Sequence, residues 1–230
     1  MGAGAGSRRR VAEAIMRGVV MVNGRIVEDL NFQVDVARDR VTLDGRGVEL
    51  RPAKKVYLML NKPRGVLCTA RDERGRKTVL DILPQKYRDL GLHPVGRLDK
   101  DTTGLLLLTN DGDFTFRVAH PRFEHEREYF VRIDGKLSAH DVRRLEWGIE
   151  MEDGEAHPAV VRELQANPQY GYSVVIREGR KRQVRRTFAA LGHRVLELKR
   201  VRIGGLGLGE LGEGEVGEMG AEEVNQLLAG

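Results

Sequence analysis

The sequence predicts an α+β protein in two units, residues 1–52 and 53–230. Three observations carry that prediction. Leu105 to Leu108 are four consecutive leucines, and such a run needs apolar packing on both faces, as an interior strand has. Asn23-Gly24 and Asp44-Gly45 each follow a short apolar run and read as tight hairpin turns in the first unit. Helix-period apolar stripes with start or stop signals alternate with the strand patterns. At 230 residues, 40% hydrophobic and 32% charged, the chain fits a globular protein with room for one large or two modest domains.

Taken in order, Ser7 caps a helix through Met16, which places Arg8, Arg9 and Arg10 on its first turn, and Gly18 ends it. Val19 to Val22 is a strand before the first hairpin dipeptide, and Val41 to Leu43 is a strand before the second. Arg51 to Lys55 reads as a linker. Val56 to Leu60 is an apolar strand running into Asn61-Lys62-Pro63-Arg64-Gly65, where Pro63 and Gly65 fix a turn. Glu128 to Ile133 is a strand that stops at Asp134-Gly135. Ser138 with Asp141 makes an acidic capping box, and Val142, Leu145 and Trp147 form the buried stripe of the helix that follows. Trp147 is read as core rather than as a base-stacking platform. Tyr172 to Ile176 is a further strand. Val184, Phe188 and Leu191 recur at helical spacing, and Gly192 stands just past the helix end.

Composition excludes several classes. No segment approaches eighteen uninterrupted apolar residues, so no membrane helix is expected, and MGAGAGSRRR lacks the apolar stretch of a secretion signal. The single cysteine, Cys68, has no internal disulfide partner; a reducing cytoplasm and a small strand residue are the expectation. The six histidines lack ligand spacing, so no metal site is expected. Gly207 to Gly212 matches G-x-G-x-x-G, but the βαβ setting that a dinucleotide needs is missing.

Charge is informative where it clusters. The net charge is +5 and the pI about 9.5. Arg177 to Arg202 holds ten Lys or Arg against two Glu, whereas Ile203 to the end has six Glu and no basic residue. A solvated helix face mixes its signs, so this asymmetry favours a surface built for phosphate. Val195 to Ile203 alternates apolar and basic residues, as an edge strand or one facing RNA does.

The densest signal is Gly96 to Gly112, GRLDKDTTGLLLLTNDG. It begins like a calcium loop, but the twelfth position is Asn110 rather than a bidentate Glu, and Pro94 and Gly96 stand where a helix should enter. Its D-x-D-x-T string suits a phosphotransferase nucleophile only if an apolar strand precedes it, and here that strand follows. The run resembles the signature of RNA pseudouridine synthases, in the branch that modifies ribosomal RNA, and the family's catalytic aspartate falls on Asp99. HEREYFVRIDG, EGRKRQVRRTFAALGH and ELKRVRIGGL, in that order, extend the resemblance over nearly the whole chain. NKPRG also occurs at the entrance of that family's catalytic domain. SRR…A..I..G.V.VNG, through Asp44-Gly45, resembles the S-four-type RNA-binding domain, named after a small-subunit ribosomal protein. That domain usually carries another helix first, so the resemblance implies a start upstream, about three helical turns away.

The resemblance implies a partial S-four-like unit over 1–52 and a catalytic domain over 53–230, with a mixed, mainly antiparallel sheet flanked by helices. It implies an isomerase that detaches uracil from its ribose, turns it and rejoins it through a ring carbon, with no cofactor and no metal. EREYFVRIDG and GIEMEDG look more like members acting on large-subunit than on small-subunit RNA. The expected partner is ribosomal RNA or an assembling ribosomal particle, with no membrane and no obligate protein partner. Asp99 is expected as nucleophile at the sugar or base toward a ribose proton. A shielded carboxylate needs a cation to stay ionised; Arg185 falls on the family's arginine and is the expected partner, with Arg180 the runner-up. Tyr129 aligns with the family's tyrosine, to stack on uracil and help move a proton. Arg97 is placed to fill the space a flipped nucleotide leaves or to hold phosphate. Arg180, Lys181, Arg182 and Arg186 are expected on RNA, as are Arg8, Arg9, Arg10, Arg17 and Arg25 of the first unit. Lys62 and Arg64 face either RNA backbone or solvent. The contrasting reading is a non-catalytic RNA-binding or ribosome-assembly factor on the same fold. Asp99, Tyr129 and Arg185 together argue against it, because a binding module has no need of a carboxylate among phosphate-binding arginines, where it weakens attraction to RNA.

Overall fold

A computed structural model describes residues 8–49, 54–70, 72–156, 159–167 and 169–229. The expected Ser7 cap, the Arg8 and Arg9 side chains and most of the expected linker lie outside the described residues. The chain divides into two compact units, Met1–Lys54 and Lys55–Gly230.

In the first unit, α1 (Arg8–Met16) precedes four short strands, β1 (Val20–Val22), β2 (Arg25–Ile26), β3 (Val41–Leu43) and β4 (Arg46–Val48). They pair antiparallel in the order β2-β1-β3-β4. Both expected hairpin turns are present. Asn23 and Gly24 have φ of +50° and +79°, and Asp44 and Gly45 have +50° and +73°. These left-handed pairs match the twist of the strands they join. Ala14, Val20, Val22 and Val27 form the buried apolar set.

The second unit is built on one sheet. Its strands are β5 (Tyr57–Lys62), β6 (His93–Val95), β7 (Thr103–Thr109), β8 (Arg127–Ile133), β9 (Val160–Glu163), β10 (Tyr172–Ile176), β11 (Val195–Ile203), β12 (Leu206–Gly207) and β13 (Val216–Glu218). The main path runs β13-β5-β7-β11-β8-β10-β9, with β6 beside β7 and β12 beside β11. All pairs are antiparallel except β11 with β7. The helices are α2 (Gln85–Arg88), α3 (Gly112–Ala119), α4 (Ala139–Trp147), α5 (Gln183–Ala190) and α6 (Ala221–Leu228). This is the mixed, mainly antiparallel sheet flanked by helices that the resemblance implied.

The leucine run of β7 explains the layering. Leu106 and Leu108 pack with Leu58, Leu60, Tyr129, Val131, Val184 and Phe188. Leu105 and Leu107 pack on the other side with Phe114, Val118 and Leu227. One strand therefore feeds two cores, and no polar position is tolerated in its middle.

Three expectations are corrected. β11 is not an edge strand; it lies between β7 and β8. Two of its basic residues bond within the protein: Arg200 donates to Leu105 O, and Arg202 bonds Glu128 and Glu126. Trp147 is 78% exposed rather than core, whereas Leu145 is buried as expected. Trp147 is the last residue of α4, and Gly148 at φ +108° turns the chain there. Cys68 lies in a bend after the second-unit turn, not on a strand, and its sulfur accepts Leu98 N–H at 3.3 Å.

Candidate active site

Asp99 sits in the loop between β6 and β7. Gly96 at φ +70° starts that loop, Leu98 is buried beneath it, and Thr102 N–H closes it on Asp99 O at 3.1 Å. Gly104 then enters β7 at φ +97°, so close to β11 that a Cβ would stand 2.1 Å from Arg200 O. Only glycine fits there, because the obstacle is backbone of a paired strand. The loop is thus pinned at both ends, and Asp99 keeps about a third of its side chain, 32%, accessible.

Lys62 was expected on RNA or in solvent; it is neither. It is 0% exposed, on the face of β5 that carries Leu58 and Leu60. Its ammonium donates to Pro63 O at 2.9 Å, Lys100 O at 3.3 Å and Thr102 O at 2.9 Å. It therefore ties the Pro63 turn to the loop that bears Asp99. Burial pulls its pKa below the ordinary lysine value, while neighbours including Asp101 and Asp99 act the other way.

The cation nearest Asp99 is Arg182, with Nη1 3.8 Å from Oδ2. Arg182 holds a left-handed φ of +53° at the N-cap of α5, a conformation costly for a long side chain. Arg185, the expected partner, stands behind it. Its guanidinium donates to Val195 O at 3.0 Å and Asp101 O at 3.2 Å, so it grips the Asp99 loop through main chain. Burial lowers its pKa, Arg182 adds to that, and Asp99 opposes it. Arg185 Nε is buried without a hydrogen-bond partner.

The runner-up, Arg180, is not at Asp99. It donates to Gly154 O at 2.9 Å and Glu155 O at 2.7 Å and pairs with Glu178 at 3.1 Å. Arg186 is likewise drawn off to the carboxylate of Asp153 and the sulfur of Met151. Both arginines organise the 151–155 turn. Arg97 and Lys181 are exposed, as are Arg10, Arg17 and Arg25 of the first unit. Arg64 is exposed and donates to Leu196 O at 3.3 Å.

Tyr129 is 8% exposed and lies on the same face of the sheet as Leu98, Val131 and Val184. Across the ladders it faces Val174 on β10 and Arg200 on β11. Sequence reasoning missed the ordering of the arginines. Arg182 was grouped with the RNA contacts, although its position just before the Val184-Phe188 stripe marks it as the residue at the helix start. Among the described residues no group of three His, Cys, Asp or Glu is arranged to hold a metal ion, and no helix is long and apolar enough to cross a membrane.

Comparisons with known proteins agree with this geometry. The RNA pseudouridylate synthase family model matches residues 56–190, and the S4 domain model matches residues 3–45. The chain is 41% identical over 233 residues to ribosomal large subunit pseudouridine synthase B of Bacillus subtilis, covering 99% of this chain and 92% of that one. It is 38% identical over 230 residues to an uncharacterized RNA pseudouridine synthase of Aquifex aeolicus, covering 98% and 90%. A crystal structure of a pseudouridylate synthase superposes with a TM-score of 0.70 at 32% identity, covering 98% of this chain and 95% of that one. The family match spans the leucine-rich strand, the aspartate loop and the arginine helix, and the chain belongs to the RNA pseudouridylate synthase family.

Proposed function

We propose that this enzyme isomerises a specific uridine of ribosomal RNA to pseudouridine, in the large subunit, in the cytoplasm, with Asp99 as the catalytic carboxylate. The reaction is an isomerisation. The bond from the anomeric carbon to a ring nitrogen breaks, a bond to a ring carbon forms, and the proton lost from that carbon ends on the nitrogen. No oxidant, reductant or external group is needed to balance it. Asp99 opens the sequence either by attacking the anomeric carbon or by taking a ribose proton. Either role uses the carboxylate as an anion, and Arg182, with Arg185 behind it, sets guanidinium charge beside it. Tyr129 provides an aromatic face for the displaced uracil and a hydroxyl for proton movement. Arg97, Lys181 and Arg64, with Arg10, Arg17 and Arg25 on the S4 unit, supply exposed charge for phosphate.

The observation that carries this reading is the pairing of a partly accessible Asp99 with Arg182 at 3.8 Å on a loop fixed by Lys62 and Gly104. The large-subunit preference rests on the names of relatives such as the Bacillus subtilis protein. The test is Asp99→Asn, which keeps size and loses the charge. Ribosomal RNA is incubated with each protein and its pseudouridines are mapped by carbodiimide labelling and primer extension. Product formation should vanish while RNA affinity stays within a few-fold. Substantial residual turnover would overturn the assignment, and a stop in small-subunit RNA alone would overturn the preference.

A further inference from the structure

We propose that the hollow between α5 and the turn into β11 seats a phosphodiester of the substrate strand, next to the target nucleotide. The proposal rests on the reading above and adds a subsite to it. The hollow measures about 340 Å³ and is lined by Arg182, Arg185, Ala189, Gly192, His193, Arg194 and Val195. Three arginines thus line one open concavity. Gly192, at φ +84°, makes the turn from α5 into β11 that precedes Arg194.

Carboxylates nearby do not cancel this charge. Arg194 pairs with Asp134 at 3.7 Å, but the two side chains are 79% and 44% exposed, and such pairs are worth about 0–1 kcal/mol. His193, which also lines the hollow, faces Asp141 at 3.6 Å, so that carboxylate is directed to the imidazole. Among the described residues Asp99 pairs with Arg182, at 3.8 Å. Arg185 brings a buried Nε without a partner. An incoming anion displaces one weak surface pair and gains a charge-assisted bond in exchange.

Position identifies the anion. Arg182 both contacts Asp99 and lines the hollow, so the two sites are one guanidinium apart. A ribose presented to Asp99 carries its own phosphates on either side, within that reach. An acidic side chain of a protein has no such reason to be there.

Arg194→Gln tests this, since Arg194 is exposed and its backbone N–H still bonds Asp134. Binding to substrate RNA is measured from low to moderate salt, with single-turnover rates at saturating RNA. The same measurements use RNA bearing one neutral methylphosphonate, 5′ or 3′ of the target. R194Q should bind about tenfold more weakly at low salt, and its salt slope should fall by about 0.7–0.9. The saturating rate should stay within twofold. One methylphosphonate should weaken wild-type binding similarly and add nothing further in R194Q. An unchanged slope, or full additivity for both methylphosphonates, overturns the seat. If wild-type protein makes no pseudouridine, the enzymatic reading fails, while the salt slopes still decide the seat.

Discussion

Replacing Lys62 by Met probes how the Asp99 loop is held. Methionine nearly fills the lysine stem but cannot donate, so it removes all three ammonium bonds without opening a cavity. Lys100 O also accepts Gly65 N–H at 2.8 Å and stays satisfied. Pro63 O and Thr102 O lose the Lys62 donor in the interior. A buried acceptor left without a partner costs about 1–3 kcal/mol, so the two together cost about 2–6 kcal/mol. Releasing a desolvated ammonium offsets part of this, leaving a net loss of about 2–3 kcal/mol. For a chain of this length that lowers the melting temperature by about 4–12 °C. The loop that carries Asp99 is also untied from the Pro63 turn, and a shift of about 1 Å at a reacting group costs about a hundredfold in rate. Scanning fluorimetry and single-turnover pseudouridine formation, run at least 20 °C below the variant's melting point (an order-of-magnitude margin of about 20 °C), separate the two effects. A variant with wild-type melting and wild-type rate would refute the cross-link argument. Melting loss at a wild-type rate would show that Lys62 stabilises the fold without positioning Asp99.

Gly104→Ala should lower stability by about 4 kcal/mol or more, because its Cβ meets Arg200 O at 2.1 Å and the φ of +97° disfavours any side chain; a melting curve matching wild type would contradict this. His125 is buried and donates from Nε2 to Arg117 O at 3.1 Å, and burial lowers its pKa. Its contribution is therefore complete above the unfolded value of about 6.5 and is lost as pH falls below that toward the folded value. Wild-type protein should lose more melting temperature between pH 7.5 and 5.5 (a window of about one unit each side of that value) than His125→Gln does. Equal losses would show that His125 is not the titrating group.

Local signals in the sequence were enough to place the hairpins and the leucine strand. Asn23-Gly24 and Asp44-Gly45 adopt left-handed pairs whatever surrounds them, and Leu105 to Leu108 leave no other arrangement. The site was legible only where a motif fixed it. Asp99 was found because its loop is written in consecutive residues. Lys62 was misjudged because the three carbonyls that receive it depend on folding, two of them from residues about forty positions away. β11 was misjudged for the same reason. Basic residues at alternate positions read as solvent-facing, but the acceptors for Arg200 and Arg202 come from β7 and from the start of β8. Trp147 failed differently, because a helical stripe extrapolates past the point where Gly148 ends the helix.

How each cation is held separates those near Asp99 from the rest. Arg202, Arg186 and Arg132 are each bonded to carboxylates, Glu128 and Glu126, Asp153, and Glu197 respectively. Their charge is cancelled locally, and what remains is a cross-link. Lys62, Arg185 and Arg200 are instead held by main-chain carbonyls. A carbonyl fixes the geometry of a guanidinium or ammonium but removes none of its net charge. Two of these three, Lys62 and Arg185, bond the loop of Asp99 itself, through Lys100, Asp101 and Thr102. Uncancelled positive charge is therefore built into the walls of that loop before RNA arrives. Such fixed charge needs no reorganisation when an anion forms. Asp99 faces Arg182 at 3.8 Å across this field, while Lys62 and Arg185 hold its loop through carbonyls that cancel neither charge.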